Sequence, residues 1–160
     1  FGFGSMSGYD QAQMLDILVR SLRGRRALFC PGWNGMKHSE LPSNILAIGN
    51  VPHDWLFPQT AAVIHHGGVG TTHSAARAGK PSIVVPFIGD QFFWADRLAK
   101  LGVAPEPVTA AKMNVAVLTR AIEFAEHTEV KARAAALGDA MSKENGLAMA
   151  VRIVQDLCRN

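Results

Sequence analysis

The sequence predicts an α/β fold: a Rossmann-like parallel β-sheet with helices on both faces. Short apolar runs of strand length alternate along the chain with segments of helical period. Glycine-rich turns join two of the predicted strands to the helices that follow them. The length of 160 residues suits one domain, which we assign to residues 1–160.

The predicted elements follow one another in the order strand, helix, strand, strand, strand, helix, strand, helix. The strands are expected at residues 1–4, 27–30, 45–48, 61–65 and 82–86, and the helices at 10–22, 71–78 and 92–101. Gly79 and Gly102 are expected to end the second and third helices, because glycine adopts the left-handed backbone common after a helix C-terminus. From residue 115 we expect a mostly helical tail with breaks near Gly138 and Gly146. The chain begins inside an apparent strand, so we expect another segment to precede it in the full protein.

Charge and composition exclude several functional classes. The chain has 16 basic and 13 acidic residues, a net charge of +3 and no basic stripe of the kind that binds nucleic acid. The short cluster Arg23, Arg25 and Arg26 is expected at a helix C-terminus beside Gly24, where cations are favourable. We therefore expect no RNA or DNA partner.

The two cysteines and the hydropathy pattern indicate the compartment. Cys30 and Cys158 lie far apart without a metal-ligand spacing, so neither a zinc site nor a disulfide framework is expected. No apolar stretch approaches the ~20 residues of a membrane span, and no signal peptide is evident. We expect a cytoplasmic protein that is peripheral at a membrane only through a domain outside this chain.

The segment HHGGVGTT at residues 65–72 follows an apolar strand and opens a helix. Glycines there let the backbone turn tightly and approach a ligand, and the helix N-terminus offers free amides to an anion, with a diphosphate as the natural guest. Thr71 and Thr72 can add hydroxyl donors, and His66 can donate from its ring. Adjacent strand residues point to opposite faces, so only one of His65 and His66 is expected to meet the ligand. The alternative is a plain strand-to-helix turn.

Two further groups are expected near this turn. The turn GFGSMSG at residues 2–8 matches the dinucleotide fingerprint imperfectly, because its third glycine falls one residue late and no acidic ribose ligand follows. We interpret Ser5 as reaching the same phosphates from an adjacent strand. Asp90 and Gln91 follow the fifth strand, where a carboxylate beside an amide can bind vicinal sugar hydroxyls. The alternative role of Asp90 is a helix N-cap.

Four blocks of the sequence, in order and spacing, closely resemble the donor-binding motif of family-1 inverting glycosyltransferases. They are GNVPHDWLFP (49–58), HHGGVGTT (65–72), AGKP (78–81) and PFIGDQFFW (86–94). Within that family the chain looks most like sterol 3-β-glucosyltransferases and their bacterial relatives. The resemblance implies the C-terminal half of a GT-B fold, whose N-terminal acceptor domain is absent from this chain.

The resemblance also implies roles for individual residues. Val51 would meet the nucleotide base through its backbone, His53 and Trp33 would lie beside the nucleoside, and Asp90 with Gln91 would bind the sugar. The remaining implied contacts are to the diphosphate, from Ser5, His66, Gly68, Gly70, Thr71 and Thr72. Plant members place a tryptophan and a ribose-binding glutamate where this chain has Asn50 and Ser74, so no ribose ligand is assigned. In the family the catalytic base lies in the N-terminal domain, so none is assigned here.

The implied reaction transfers glucose from UDP-glucose to a hydroxyl of a sterol or another lipophilic, polycyclic acceptor. No acidic pair stands near the glycine turns to hold a divalent ion, so the UDP-sugar is expected as co-substrate without a metal. The alternatives are a non-catalytic nucleotide-binding module and a glycosyltransferase of an antibiotic aglycone that uses a different nucleotide sugar. A fragment of a NAD-dependent dehydrogenase is disfavoured by the imperfect fingerprint.

Overall fold

The computed structural model describes residues 1–4, 6, 9–31 and 41–159. These residues include four short strands: β1 (Ala27–Phe29), β2 (Ile45–Ala47), β3 (Val63–His65) and β4 (Ser82–Val84). The helices are α1 (Gln11–Leu22), α2 (His53–Leu56), α3 (Val69–Arg77), α4 (Gln91–Lys100), α5 (Val115–Glu126), α6 (Thr128–Ser142) and α7 (Gly146–Leu157). Two 3₁₀ turns cover Phe57–Gln59 and Ala110–Lys112. Helix α2 and both 3₁₀ turns are additions to the predicted elements.

The strands pair in parallel, β1 with β2 and β3 with β4. The extended segment 1–3 connects the two pairs, because Cys30 N donates to Phe1 O at 2.9 Å and Gly2 N donates to Ile64 O at 3.1 Å. Gly2 also forms a parallel bridge with His65. The resulting order is β2, β1, segment 1–3, β3, β4. The connections reverse direction between segment 1–3 and β3, and ligands of open α/β sheets bind at such a reversal.

Helices cover both faces of the sheet, as predicted. One core cluster joins α1 and α5 to the face that carries Ile64 and Ile83. A second joins α3, α4 and α6 to the face that carries Val84. Alternation of side chains along β4 places Ile83 in the first core and Val84 in the second. None of the helices in the described ranges is long and apolar enough to cross a membrane.

Local sequence signals explain where several helices begin and end. Asp10, Asn114 and Asn145 cap α1, α5 and α7, each accepting a hydrogen bond from the backbone amide three residues on. Gly79 and Gly102 have φ angles of 67° and 68° just past α3 and α4, which confirms the predicted stops.

The predicted break near Gly138 is wrong. Gly138 is buried inside α6, and the tail breaks instead at His127 and at residues 143–145. A Cβ on Gly138 would lie 2.7 Å from Gly79 Cα, so this glycine permits close packing of α6 on the turn after α3. The break expected near Gly146 is confirmed by the start of α7.

The arginine cluster attaches α1 to α5. Arg23 occupies the C-cap of α1 and lies 3.2 Å from Glu123, while Arg25 makes two hydrogen bonds of 2.6 and 2.7 Å to Glu126. This paired geometry lowers the pKa of Glu126, chiefly through the hydrogen bond from Arg25. The positive charges of Arg23 and Arg25 are thus paired with acidic residues of the same chain.

Candidate functional site

The turn after β3 requires glycine at its second position, residue 67. Gly67 has a φ of 93°, and a Cβ there would lie 2.8 Å from Val84 Cγ1. Its amide donates to His65 Nδ1 at 3.1 Å. The buried His65 ring therefore stabilises the turn from the interior of the protein. Because Nδ1 accepts this hydrogen bond, the proton of the neutral ring is on Nε2.

The side chains of His65 and His66 have different surroundings, as expected for adjacent residues that point to opposite faces of a strand. His65 is 1% exposed, and its Nε2 has no partner among the described residues. Burial, and to a smaller extent the charge of His66, lowers the pKa of His65 to about 3. Burial also lowers the pKa of the half-buried His66, and the carboxylate of Asp90 opposes that shift. Both rings are therefore neutral at pH 7, and a neutral imidazole keeps one N–H to donate.

The ring of His66 lies between the two glycine turns. A Cβ on Gly68 would lie 2.5 Å from its Nε2, and a Cβ on Gly4 would lie 3.2 Å from its Cε1. The Nδ1 atom is buried and has no partner within the part of the chain described. Two glycines thus make room for this ring at the sheet reversal, a packing role that the sequence pattern did not reveal.

Helix α3 begins at this turn, and its first amides have no partner within the helix. Gly68 is its N-cap and supplies no side-chain hydrogen bond, and the first helical amide with a backbone acceptor is that of Thr72, 3.0 Å from Gly68 O. The preceding amides, including those of Gly70 and Thr71, point to the helix N-terminus. Gly70 is exposed, and a Cβ there would meet nothing within 4 Å. The site is open at this point.

Thr72, predicted to donate its hydroxyl to the diphosphate, is instead buried. The residue is 2% exposed, its amide is used by the helix, and its Oγ1 is buried without a partner in the described ranges. Thr71 is only partly buried. Of the two predicted hydroxyl donors, we therefore expect Thr71 to be the one available to an anion.

The turn between β4 and α4 carries the two predicted sugar ligands. Gln91 is 5% exposed, and its Oε1 accepts from the amides of Phe87 and Ile88 at 2.8 and 3.2 Å. Its side chain organises the turn, and its Nε2 donates to Met6 Sδ at 3.2 Å, which leaves one amide N–H for a ligand. Asp90 is exposed, makes no capping hydrogen bond, and accepts from Trp94 Nε1 at 3.0 Å. Asp90 does occupy the N-cap position of α4, as the alternative predicted, but its side chain does not cap the helix.

The remaining predicted contacts lie around the end of β2. Val51 is partly buried, and His53 is exposed at the first turn of α2, where its ring stacks on Phe57 with centroids 4.4 Å apart. Ser5 and Trp33 lie outside the described residues. Within the described ranges, no group of three or more acidic, histidine or cysteine side chains is arranged to hold a metal ion.

Trp94 is a residue of this region to which the sequence analysis assigned no role. Its spacing of four residues from Asp90 is the signal that would have revealed it, because such pairs are neighbours on a helix.

Comparison with known proteins gives a consistent result. The family described as erythromycin biosynthesis protein CIII-like, C-terminal domain, matches residues 30–155. A sterol 3-beta-glucosyltransferase of Arabidopsis thaliana is 42% identical over 154 residues, which cover 94% of this chain and 25% of that protein. A sterol 3-beta-glucosyltransferase of Saccharomyces cerevisiae is 39% identical, and the aligned region covers 13% of that protein. The chain thus spans a quarter or less of the length of these curated relatives.

Solved structures share the fold. The glycotransferase of kitacinnamycin has a TM-score of 0.81 at 23% identity, with 96% of this chain and 41% of that chain covered. The spinosyn forosaminyltransferase SpnP also scores 0.81, at 20% identity, with 99% and 42% covered. The glycosyltransferase VinC, solved in complex with dTDP, scores 0.72 at 21% identity, with 97% and 41% covered. The predicted α/β fold, which is one half of the GT-B architecture, is confirmed.

Proposed function

Because this chain belongs to the family of erythromycin biosynthesis protein CIII-like C-terminal domains, we propose that it is the UDP-sugar-binding half of an inverting glycosyltransferase. The whole protein would transfer glucose from UDP-glucose to a hydroxyl of a sterol or a related polycyclic acceptor. The sterol assignment is supported by relatives at about 40% identity that bear that name. The observation that carries the proposal is the His66 ring, which lies between two glycine turns beside the free N-terminus of α3.

The site suits the leaving group of this reaction. When the acceptor oxygen attacks the anomeric carbon, the bond to UDP breaks and negative charge develops on the diphosphate. The amides of Gly70 and Thr71, the positive end of α3 and an N–H of His66 would stabilise that charge. These groups are fixed before the reaction, so little free energy is spent on reorganising them.

The turn that carries Asp90 lies beside the turn that carries His66, because β3 and β4 pair in parallel and a Cβ on Gly67 would lie 3.2 Å from Gln91 O. A sugar attached to a diphosphate at His66 would therefore lie within reach of Asp90. A carboxylate accepts hydrogen bonds from vicinal hydroxyls, which supports the proposed role in glucose recognition. Val51 and His53 would contact the nucleoside from the end of β2.

The partner would be an N-terminal acceptor domain of the same protein, which supplies the catalytic base and the acceptor pocket. Helix α7 supports such a partner, because it exposes a large apolar surface. Leu147 and Leu157 are 78% and 73% exposed, and no residue of α7 is buried within the described structure. Contiguous exposed apolar patches mark interaction sites in soluble proteins.

Calorimetric titration of the 160-residue chain with UDP tests the proposal directly. We expect binding that changes by less than about twofold when EDTA replaces Mg²⁺, because amides and an imidazole form the anion site. Thymidine diphosphate is the matched control for the base. Absence of UDP binding, or binding that requires the metal, would contradict the proposal; tighter binding of thymidine diphosphate would favour the antibiotic-aglycone alternative.

A further inference from the structure

Asp90 is an exposed carboxylate in a fixed position. Its backbone is helical, with φ of −68° and ψ of −13°, and its side chain makes no capping bond to α4. Its Oδ2 instead accepts from the indole Nε1 of Trp94, one turn later, at 3.0 Å. This bond uses one of the two carboxylate oxygens, and Oδ1 can still accept from a ligand.

Trp94 is itself held by a neighbouring helix. Its half-buried ring meets His73 of α3 edge to face, with centroids 5.0 Å apart and planes at 89°. The indole also meets Phe93 at 5.0 Å. Helix α3 begins at the glycine turn beside His66, so the indole links the carboxylate of Asp90 to the element that carries the anion site.

We propose that Trp94 is a positioning residue for sugar recognition, whose indole N–H orients the carboxylate of Asp90 toward the hydroxyls of a bound hexose. The inference rests on the proposed function. A free aspartate side chain at an exposed position loses rotamer freedom when it binds a ligand, and a hydrogen bond that already holds it reduces that loss. An exposed pair at this spacing adds only a few tenths of a kcal/mol to helix stability, so its effect on the sugar is separable from folding.

The test uses Trp94→Phe in the 160-residue chain, with paired titrations of UDP and UDP-glucose and a thermal melt. We expect the dissociation constant for UDP-glucose to rise roughly threefold to tenfold, as for the loss of one hydrogen bond. The dissociation constant for UDP and the melting temperature should stay near those of the parent. Phe93→Leu is the control, because it alters an adjacent exposed ring that donates no hydrogen bond.

Coupling to Asp90 distinguishes this inference from the proposed function. Asp90→Ala should weaken UDP-glucose and spare UDP, and the double variant with Trp94→Phe should bind no more weakly than Asp90→Ala alone. Equal losses for UDP and UDP-glucose in Asp90→Ala would overturn the proposed sugar site. A selective loss in Asp90→Ala without any in Trp94→Phe would overturn the positioning role alone.

If Trp94→Phe does not fold, a second pair of variants at position 94 tests the same inference. Trp94→Gln keeps an N–H donor that can reach a carboxylate four residues earlier on a helix, and Trp94→Met has similar length without that donor. Tighter binding of UDP-glucose by the glutamine variant supports the inference. Equal affinities of the two variants would overturn it.

Discussion

At the scale of single residues, the site depends on two adjacent histidines with different neighbours. His65 is buried, accepts the Gly67 amide and supports the turn from inside. His66 lies over Gly68 and Gly4 at the reversal of the sheet. The same residue type therefore has a structural role at one position and a proposed ligand-binding role at the next.

We expect His66→Ala to weaken UDP binding more than His65→Ala does. The expected loss is about 1.5 to 3 kcal/mol, the cost of a hydrogen bond to a charged group. Because His65 fills a buried site and accepts a backbone amide, its replacement should chiefly lower the free energy of unfolding. Calorimetry and urea denaturation of both variants measure the two effects, and His127→Ala is a control at an exposed histidine outside the site. Equal losses of UDP affinity in the two variants would show that the wrong ring was chosen.

At the scale of elements, α6 approaches the turn after α3 through paired glycines. A Cβ on Gly138 would lie 2.7 Å from both Gly79 N and Gly79 Cα, and 3.1 Å from Arg77 O. All three atoms belong to the backbone, so no side-chain rotation can relieve the overlap. The contact connects the helix that carries the anion site to the C-terminal helices.

Gly138→Ala should therefore destabilise the fold by about 1 to 3 kcal/mol, although alanine favours a helix interior by about 1 kcal/mol. Gly146→Ala is the matched control, because a Cβ there would meet nothing within 4 Å at the start of α7. That variant should be neutral or slightly more stable. Urea denaturation gives both free energies; a neutral Gly138→Ala would mean that α6 does not pack against the turn as closely as described.

At the scale of the whole molecule, the described groups are proposed to bind and position the donor, and the proposed acceptor pocket and base are assigned to another domain. The exposed apolar residues of α7 belong to none of the hydrophobic core clusters of the described residues. They offer a surface through which that domain would pack on this one.

The 160-residue chain should bind UDP-glucose and transfer no glucose to a sterol, because no base or acceptor pocket is assigned to it. A transfer assay with labelled UDP-glucose measures this, and the longer protein with its preceding domain is the positive control. Robust turnover by the chain alone would refute its assignment as half of an enzyme. Binding without turnover in the longer protein as well would favour the non-catalytic alternative.

The sequence by itself determined the features that depend on a few neighbouring residues. The alternation of apolar runs and helical segments predicted the parallel sheet, and Asp10 predicted the start of α1. The positive φ angles at Gly79 and Gly102 were expected because a helix that ends there needs a left-handed residue. The glycine turn beside His66 and the carboxylate at Asp90 were found in the same way, since turn chemistry and strand ends are local.

Only the tertiary structure decided features that join distant parts of the chain. Gly138 resembles a helix break in sequence, and its role becomes clear only when α6 packs against Gly79. A residue larger than glycine at position 68 would overlap the ring of His66, which occupies the adjacent space. The carboxylate of Asp90 binds an indole and not its own helix N-terminus. Each of these depends on which surfaces meet after folding, and periodicity along one chain does not encode the close packing between two elements.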